Sequence, residues 1–251
     1  MRGGCGLLDM LRNAMPTHSL ETVRPILTKN TFLGRLPEVV LDALVRKGQI
    51  RTYEKGAIVY RRGDPSDSLM VVISGRVKIS NTNAGGKEIV LDFLGVGDIY
   101  GEFSAMDGKE RAVDAFALED SQVFVVYSRD LLPTLIAHPH AMLEIIRVLC
   151  ERARAGAAII EDDTLRMRAR AAKGLLRLAR QRGCRSADGA SLQLTISQEE
   201  LGKYLGLSRA NVSRQLGQLR LANTITVNGT EISIIDEEGL EEIAADPSSK
   251  H

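Results

Sequence analysis

Two groups of residues in this 251-residue chain have types and spacings suited to chemistry. The first is Gly101-Glu102-Phe103, followed nine residues after Glu102 by Arg111 and then Ala112. An arginine holds an anionic oxygen pair with charge-assisted bonds, and phosphate is a natural recipient. A glutamate beside it can accept from a sugar hydroxyl, and backbone N–H groups around Phe103 and Ala112 add donors. The set suits a phosphate-sugar. The same two charges could instead pair with each other, and such pairs are weak evidence for stability. The second group is Arg209, Asn211, Ser213 and Arg214 within one short stretch. Arginine matches the O6/N7 edge of guanine, and asparagine does the same for adenine.

Local signals position the second group. Ser197-Gln198-Glu199-Glu200 has the pattern of a capping box, which starts a helix that runs to Leu205 and stops at Gly206. Ser208 then caps a second helix over 209–220. Leu201, Leu205, Val212 and Leu216 are spaced to bury one face of the pair. TITVNGTEISIID, at 224–236, reads as a β-hairpin closed by Asn228-Gly229. Two short helices with a glycine turn and a hairpin behind them make a winged helix-turn-helix. Its second helix enters the major groove by its N-terminal residues. Ser197, Gln198 and Ser208 sit at helix starts, where N–H groups and the dipole favour phosphate. The plainer alternative is a three-helix bundle with a polar face. Charge separates the two: residues 166–227 hold 12 basic and 3 acidic side chains, a local +9. Residues 1–165 carry −2 and residues 228–251 carry −6, so the whole chain is only +1. A basic island in a near-neutral chain is the footprint of a polyanion-binding module.

The first group falls among short apolar runs separated by turns. GAIVY (56–60), SLMVVIS (68–74), RVKIS (76–80), EIVLDFL (88–94), AVDAFAL (112–118) and QVFVVY (122–127) read as strands. About eight such strands with glycine turns suit a jelly roll. Upstream, Leu20 to Lys47 reads as short helices broken by Pro25, Gly34 and Pro37, after a loose tail over 1–19. After Pro139 the period becomes helical. Met142, Ile146, Leu149, Ala153, Gly156 and Ile160 form an a/d seam, which invites a second copy of the chain. Packing on its own barrel is the alternative.

Composition narrows the class. Apolar residues at 44% and charged residues at 26% describe a chain able to bury a core. No apolar run reaches membrane-spanning length, so no membrane partner is expected. Cys5, Cys150 and Cys184 make no metal or disulfide spacing, which reads as a cytoplasmic chain with free thiols. His138 and His140 flank a helix-start proline and do not form a metal set. No P-loop, nucleophile elbow or HExxH supports an enzyme.

YGEFSAMDGKER resembles the phosphate-binding cassette of cyclic-nucleotide-binding domains. SRANVSRQL resembles the recognition helix of the cyclic-AMP receptor protein and fumarate-nitrate regulator family of bacterial transcription factors. The likeness runs from about Leu20 to Asp236 in the same order of parts. It implies an α+β chain with an N-terminal jelly-roll β-barrel of cyclic-nucleotide-binding type, a long dimerisation helix and a C-terminal winged helix-turn-helix. The expected boundaries are 1–19 tail, 20–137 β-roll, 138–165 dimerisation helix and 166–251 DNA-binding domain. The resemblance implies a homodimer on pseudo-palindromic double-stranded DNA, working with RNA polymerase. It implies an effector in the β-roll, cyclic AMP first and cyclic GMP second, touched by Ile79, Leu91, Gly101, Glu102, Phe103, Arg111, Ala112 and Gly156.

Departures from the family pattern limit that expectation. A Ser or Thr usually follows the cassette arginine, and here it is Ala112. The Thr-Ser pair that meets adenine falls at Gly156 and Ala157, which offer no side-chain donor. An effector-independent regulator, or one with another ligand, is therefore the alternative. A glutamate usual after the first recognition arginine is Ala210 here, so the half-site should differ. An iron–sulfur cluster needs about four thiolates, and only Cys5 lies in the N-terminal region, so none is expected.

Overall fold

The computed structural model describes residues 20–29, 33–83, 85–162, 165–185 and 192–245. The expected tail at 1–19 lies outside them. The chain forms two compact units, Met1–Ile79 with Leu94–Glu151, and Ser80–Phe93 with Arg152–His251.

The chain opens with helix α1 (Leu20–Lys29), a 3-10 turn at Leu33–Arg35 and helix α2 (Glu38–Lys47). Pro25 lies inside α1 and does not break it. A mid-helix proline removes one backbone bond. Burial of Val23 and Leu27 on either side of it outweighs that loss. Strands β1 (Gln49–Tyr53), β2 (Ile58–Tyr60), β3 (Ser68–Ser74), β4 (Val77–Thr82), β5 (Glu88–Leu94) and β6 (Ile99–Tyr100) follow. Helix α3 (Glu102–Asp107), strands β7 (Asp114–Ala117) and β8 (Ser121–Tyr127), and helix α4 (Ser128–Ala137) come next. Two four-stranded sheets result, in the orders β1-β8-β3-β6 and β2-β7-β4-β5. This is the expected jelly roll.

β3 shows why the strands stay together. Leu69, Val71 and Ile73 face one way, into a cluster with Leu27, Leu41, Leu44, Leu131, Leu135 and Ile145. Met70 and Val72, pointing the other way by the period of two, are buried as well. Each fully buried leucine here contributes about 1.5–3 kcal/mol. The apolar runs of the sequence do not mark β1 and β6. β1 is mostly exposed, and β6 is two residues long, so neither shows alternation.

Helix α5 (Pro139–Asp162) is the expected long helix. Ala141, Ile145 and Val148 face the core, and Met142 and Leu149 pack against it too. The exposed apolar line is Leu143, Ile146, Cys150, Ala153, Ala157 and Ile160. Of the expected seam, Ile146, Ala153, Gly156 and Ile160 are exposed, while Met142 and Leu149 are half-buried against the core. An apolar pattern wide enough for two seams leaves the choice to whichever face the barrel covers.

Helix α6 (Met167–Arg182), strands β9 (Cys184–Arg185) and β10 (Leu192–Thr195), and helices α7 (Gln198–Leu205) and α8 (Arg209–Leu221) follow. Strands β11 (Ile225–Asn228) and β12 (Glu231–Ile234) and helix α9 (Glu237–Ala245) complete the chain. The wing sheet has the order β11-β12-β10-β9. Asn228 pairs with Glu231, so the two-residue loop is Gly229-Thr230 and not Asn228-Gly229. Gly229, at φ +61°, takes the left-handed position. Leu175, Leu178, Leu201, Leu219 and Leu240 form the core beneath. The acidic end docks as α9. Arg180 donates to Glu237 at 2.8 Å and also to Glu241, and these bonds raise its pKa.

Candidate ligand-binding and nucleic-acid-binding sites

Gly101 ends β6 with φ +78°, a conformation open chiefly to glycine. Space forces the same choice: a Cβ there would stand 2.2 Å from Arg111 Nη1. The missing side chain lets the arginine lie against the strand end. Arg111 Nη1 donates to Ser68 O at 2.9 Å and Gly101 O at 3.3 Å, and Nη2 donates to Ser68 Oγ at 2.9 Å. Its guanidinium carbon sits 4.3 Å over the Tyr60 ring, a cation–π contact. The side chain is 5% exposed. Burial lowers its pKa; Tyr60 and Tyr100 oppose that, followed by Asp67 and Glu102. The group stays charged, because guanidinium does not lose its proton in proteins. Three of its five N–H donors are used in these bonds, which leaves Nε–H and one Nη2–H for an anion.

Glu102 opens α3 and is buried at 3% exposure. Its field reaches Arg111, but less strongly than the tyrosines do. Phe103 is half exposed and Ala112 is exposed. Ile79 on β4 is buried, Leu91 on β5 is half-buried, and Gly156 on α5 is exposed. Sequence reasoning missed Ser68 and Tyr60. Ser68 lies 43 residues from Arg111, and only sheet topology brings it there. Tyr100 stands in the cassette sequence just before Gly101. It stacks obliquely on Tyr60 at 5.9 Å, and its buried hydroxyl lacks a hydrogen-bond partner among the described residues. Burial raises its pKa, so it remains a neutral phenol.

Both helix caps of the second group are present. Ser197 Oγ accepts from Glu200 N at 3.2 Å, and Ser208 Oγ accepts from Asn211 N at 3.3 Å. Glu200 does not complete the box as expected: its carboxylate accepts from the Ser197 hydroxyl at 2.9 Å. Gly206, at φ +65°, makes the turn between the helices. Val212, Leu216 and Leu219 hold α8 on the core. Arg209, Ser213 and Arg214 are exposed, as is Ser208, and Asn211 is half-buried. Arg214 donates to Asn211 Oδ1 at 3.4 Å, so these two side chains lie together on one face. Gln198 starts α7, half-buried. Gln215 points inward, 5% exposed, and its Oε1 lacks a partner among the described residues.

Among the described residues, no group of three or more His, Cys, Asp or Glu side chains can hold a metal. Cys5 lies outside them. No described helix is long and apolar enough to cross a membrane.

Comparison with known proteins fits both sites. Residues 50–138 match the cyclic nucleotide-binding domain, and residues 169–243 match the Crp-like helix-turn-helix domain. The cyclic AMP receptor protein of Thermus thermophilus is 32% identical over 216 residues, covering 85% of this chain and 95% of that one. The CRP-like cAMP-activated global transcriptional regulator of Mycobacterium tuberculosis is also 32% identical, over 83% and 93%. The structure of FixK2 from Bradyrhizobium japonicum superposes with a TM-score of 0.71 at 21% identity, over 79% of this chain and 98% of that one. The Mycobacterium tuberculosis relative is by name a transcriptional regulator, and the second matched domain is a helix-turn-helix. With an arginine anchored under the β-roll cassette and a capped, solvent-facing recognition helix, this chain belongs to the cyclic-AMP receptor protein and fumarate-nitrate regulator family of transcription regulators.

Proposed function

We propose that the protein is a homodimeric, sequence-specific regulator whose hold on DNA is set by a 3′,5′-cyclic nucleotide. The observation that carries the effector half is Arg111, held charged beside Gly101 with donors to spare. The phosphate and ribose, on Arg111 and Glu102, are common to cyclic AMP and cyclic GMP. Similarity to a receptor named for cyclic AMP supports the class. Support for a dimer comes from the exposed line of α5, where Leu143, Ile146 and Ile160 are 50%, 48% and 74% exposed. Apolar side chains repeating at 3.5-residue spacing bury best against a second such helix. DNA binding places the work in the cytoplasm, and RNA polymerase is the partner that the family resemblance implies.

Gly156 and Ala157 favour a second reading, an effector-independent regulator. Mobility shifts on a selected site, with and without cyclic nucleotide, separate the two. Nucleotide should tighten DNA binding at least tenfold on the first reading and change nothing on the second. Ile146→Asp should convert the dimer to monomer in size-exclusion chromatography with light scattering. A wild-type chain that is monomeric at working concentrations contradicts the dimer.

A further inference from the structure

Asn211 and Arg214 stand three residues apart on α8, the spacing at which helix side chains are neighbours. Arg214 Nη1 donates to Asn211 Oδ1 at 3.4 Å. A guanidinium has donors only, so the amide must turn its oxygen and not its nitrogen toward it. Reading adenine makes a different demand: Oδ1 accepts from N6–H while Nδ2 donates to N7, both from one amide plane. An amide plane set by Arg214 is not free to turn to that edge. Asn211 is also the half-buried member of the pair, and Arg214 is exposed. The Asn211 N–H is bound to the Ser208 cap at 3.3 Å, so its short side chain starts from a fixed point. Arg214 is long, and ordering it costs rotamer freedom. The bond to Asn211 is its one bond among the described residues. It leaves Nε–H and the Nη2 hydrogens as an edge that fits guanine O6 and N7.

We infer that Asn211 is a positioning residue, which holds Arg214 in place to read guanine and does not itself select adenine. The inference rests on the sequence-specific DNA binding proposed above and assigns a role within it. It replaces the pairing of asparagine with adenine that residue type alone suggests. The gain is order before contact: an arginine already held at one end loses less freedom on the base. Asn211 and Arg214 therefore govern one base pair of each half-site, and not two.

The test selects binding sites for the full chain from a randomised duplex pool and compares base preference position by position. Arg214→Ala should relax one guanine in each half-site. Asn211→Ala should relax the same guanine by roughly three- to tenfold, the worth of one ordered side chain. The double variant should lose little more than Arg214→Ala alone, because no arginine is left to be held. Asn211→Asp keeps an acceptor toward Arg214 and removes the amide donor. It should weaken binding to every duplex through its charge and leave the guanine preference in place. Thermal unfolding checks that each variant is folded. An adenine preference that Asn211→Ala or Asn211→Asp abolishes, at a position that Arg214→Ala leaves intact, overturns the inference. So do independent, additive losses in the double variant. A wild-type chain that selects no sequence overturns the DNA-reading proposal and this inference with it. Selection that persists in Asn211→Ala, with only the guanine of Arg214 relaxed, upholds both.

Discussion

Arg111→Leu should lower affinity for cyclic nucleotides at least a hundredfold and leave a folded protein. The two remaining donors, aimed at a phosphate, are worth about 1.5–3 kcal/mol each as bonds to a charged group. Together they account for roughly two to four powers of ten in affinity. Leucine keeps the apolar contact with Tyr60 but strands Ser68 O and Oγ, both of which now accept from the guanidinium. That costs about 1–3 kcal/mol of stability, so the unfolding temperature should fall by several degrees without loss of the cooperative transition. Isothermal titration measures the first effect and calorimetry the second. Equal affinities in wild type and variant would mean that the cassette does not hold the phosphate.

The second large effect lies at the other end of the chain. Arg209→Ala should cost about 1–3 kcal/mol on the preferred site, the range for a lost bidentate base contact. On random duplex the loss should be small, about that of one phosphate contact. The ratio of specific to non-specific affinity should therefore narrow by roughly five- to a hundredfold. Arg209 is exposed in the first turn of α8, so its removal leaves no cavity and stability should hardly change. Binding measured across a salt series separates the terms, because counterion release governs the non-specific part. Unaltered selectivity in this variant would remove Arg209 from the reading face. Asn211→Ala should act differently, since it also releases Arg214 from the contact at 3.4 Å.

These expectations draw on features the sequence exposes to different degrees. Where local chemistry decides structure, the helix starts and stops matched, and only the Glu200 half of the capping box differs. Ser197 and Ser208 are both caps, Gly206 is the turn, and α8 ends within a residue of the expected stop. Strands with strong apolar runs, such as β3 and β8, were equally plain. Elements defined by their neighbours were not. β1 is held by its ladder to β8, from Gln49↔Val125 to Tyr53↔Ser121, and carries no alternation of its own. The hairpin register came out one residue away because pairing of Asn228 with Glu231 outcompeted its use as a turn residue. The same holds at the ligand site. Gly101 and Arg111 were visible ten positions apart, but Ser68 and Tyr60 arrive by topology. The seam of α5 shows the limit most clearly, because two apolar lines on one helix cannot be ranked until one of them is covered.

Gln215 has a practical consequence. A buried amide oxygen with no partner among the described residues is a cost carried inside helix α8. Methionine has nearly the same length and shape and no oxygen to satisfy. Gln215→Met should therefore raise the melting temperature by a few degrees, at about 1 kcal/mol for an 80-residue domain. The helix thus holds a reserve of robustness that its natural sequence leaves unused. A designer retargeting positions 209–214 to a new operator can draw on it, absorbing the losses that altered reading residues bring without touching the scaffold elsewhere.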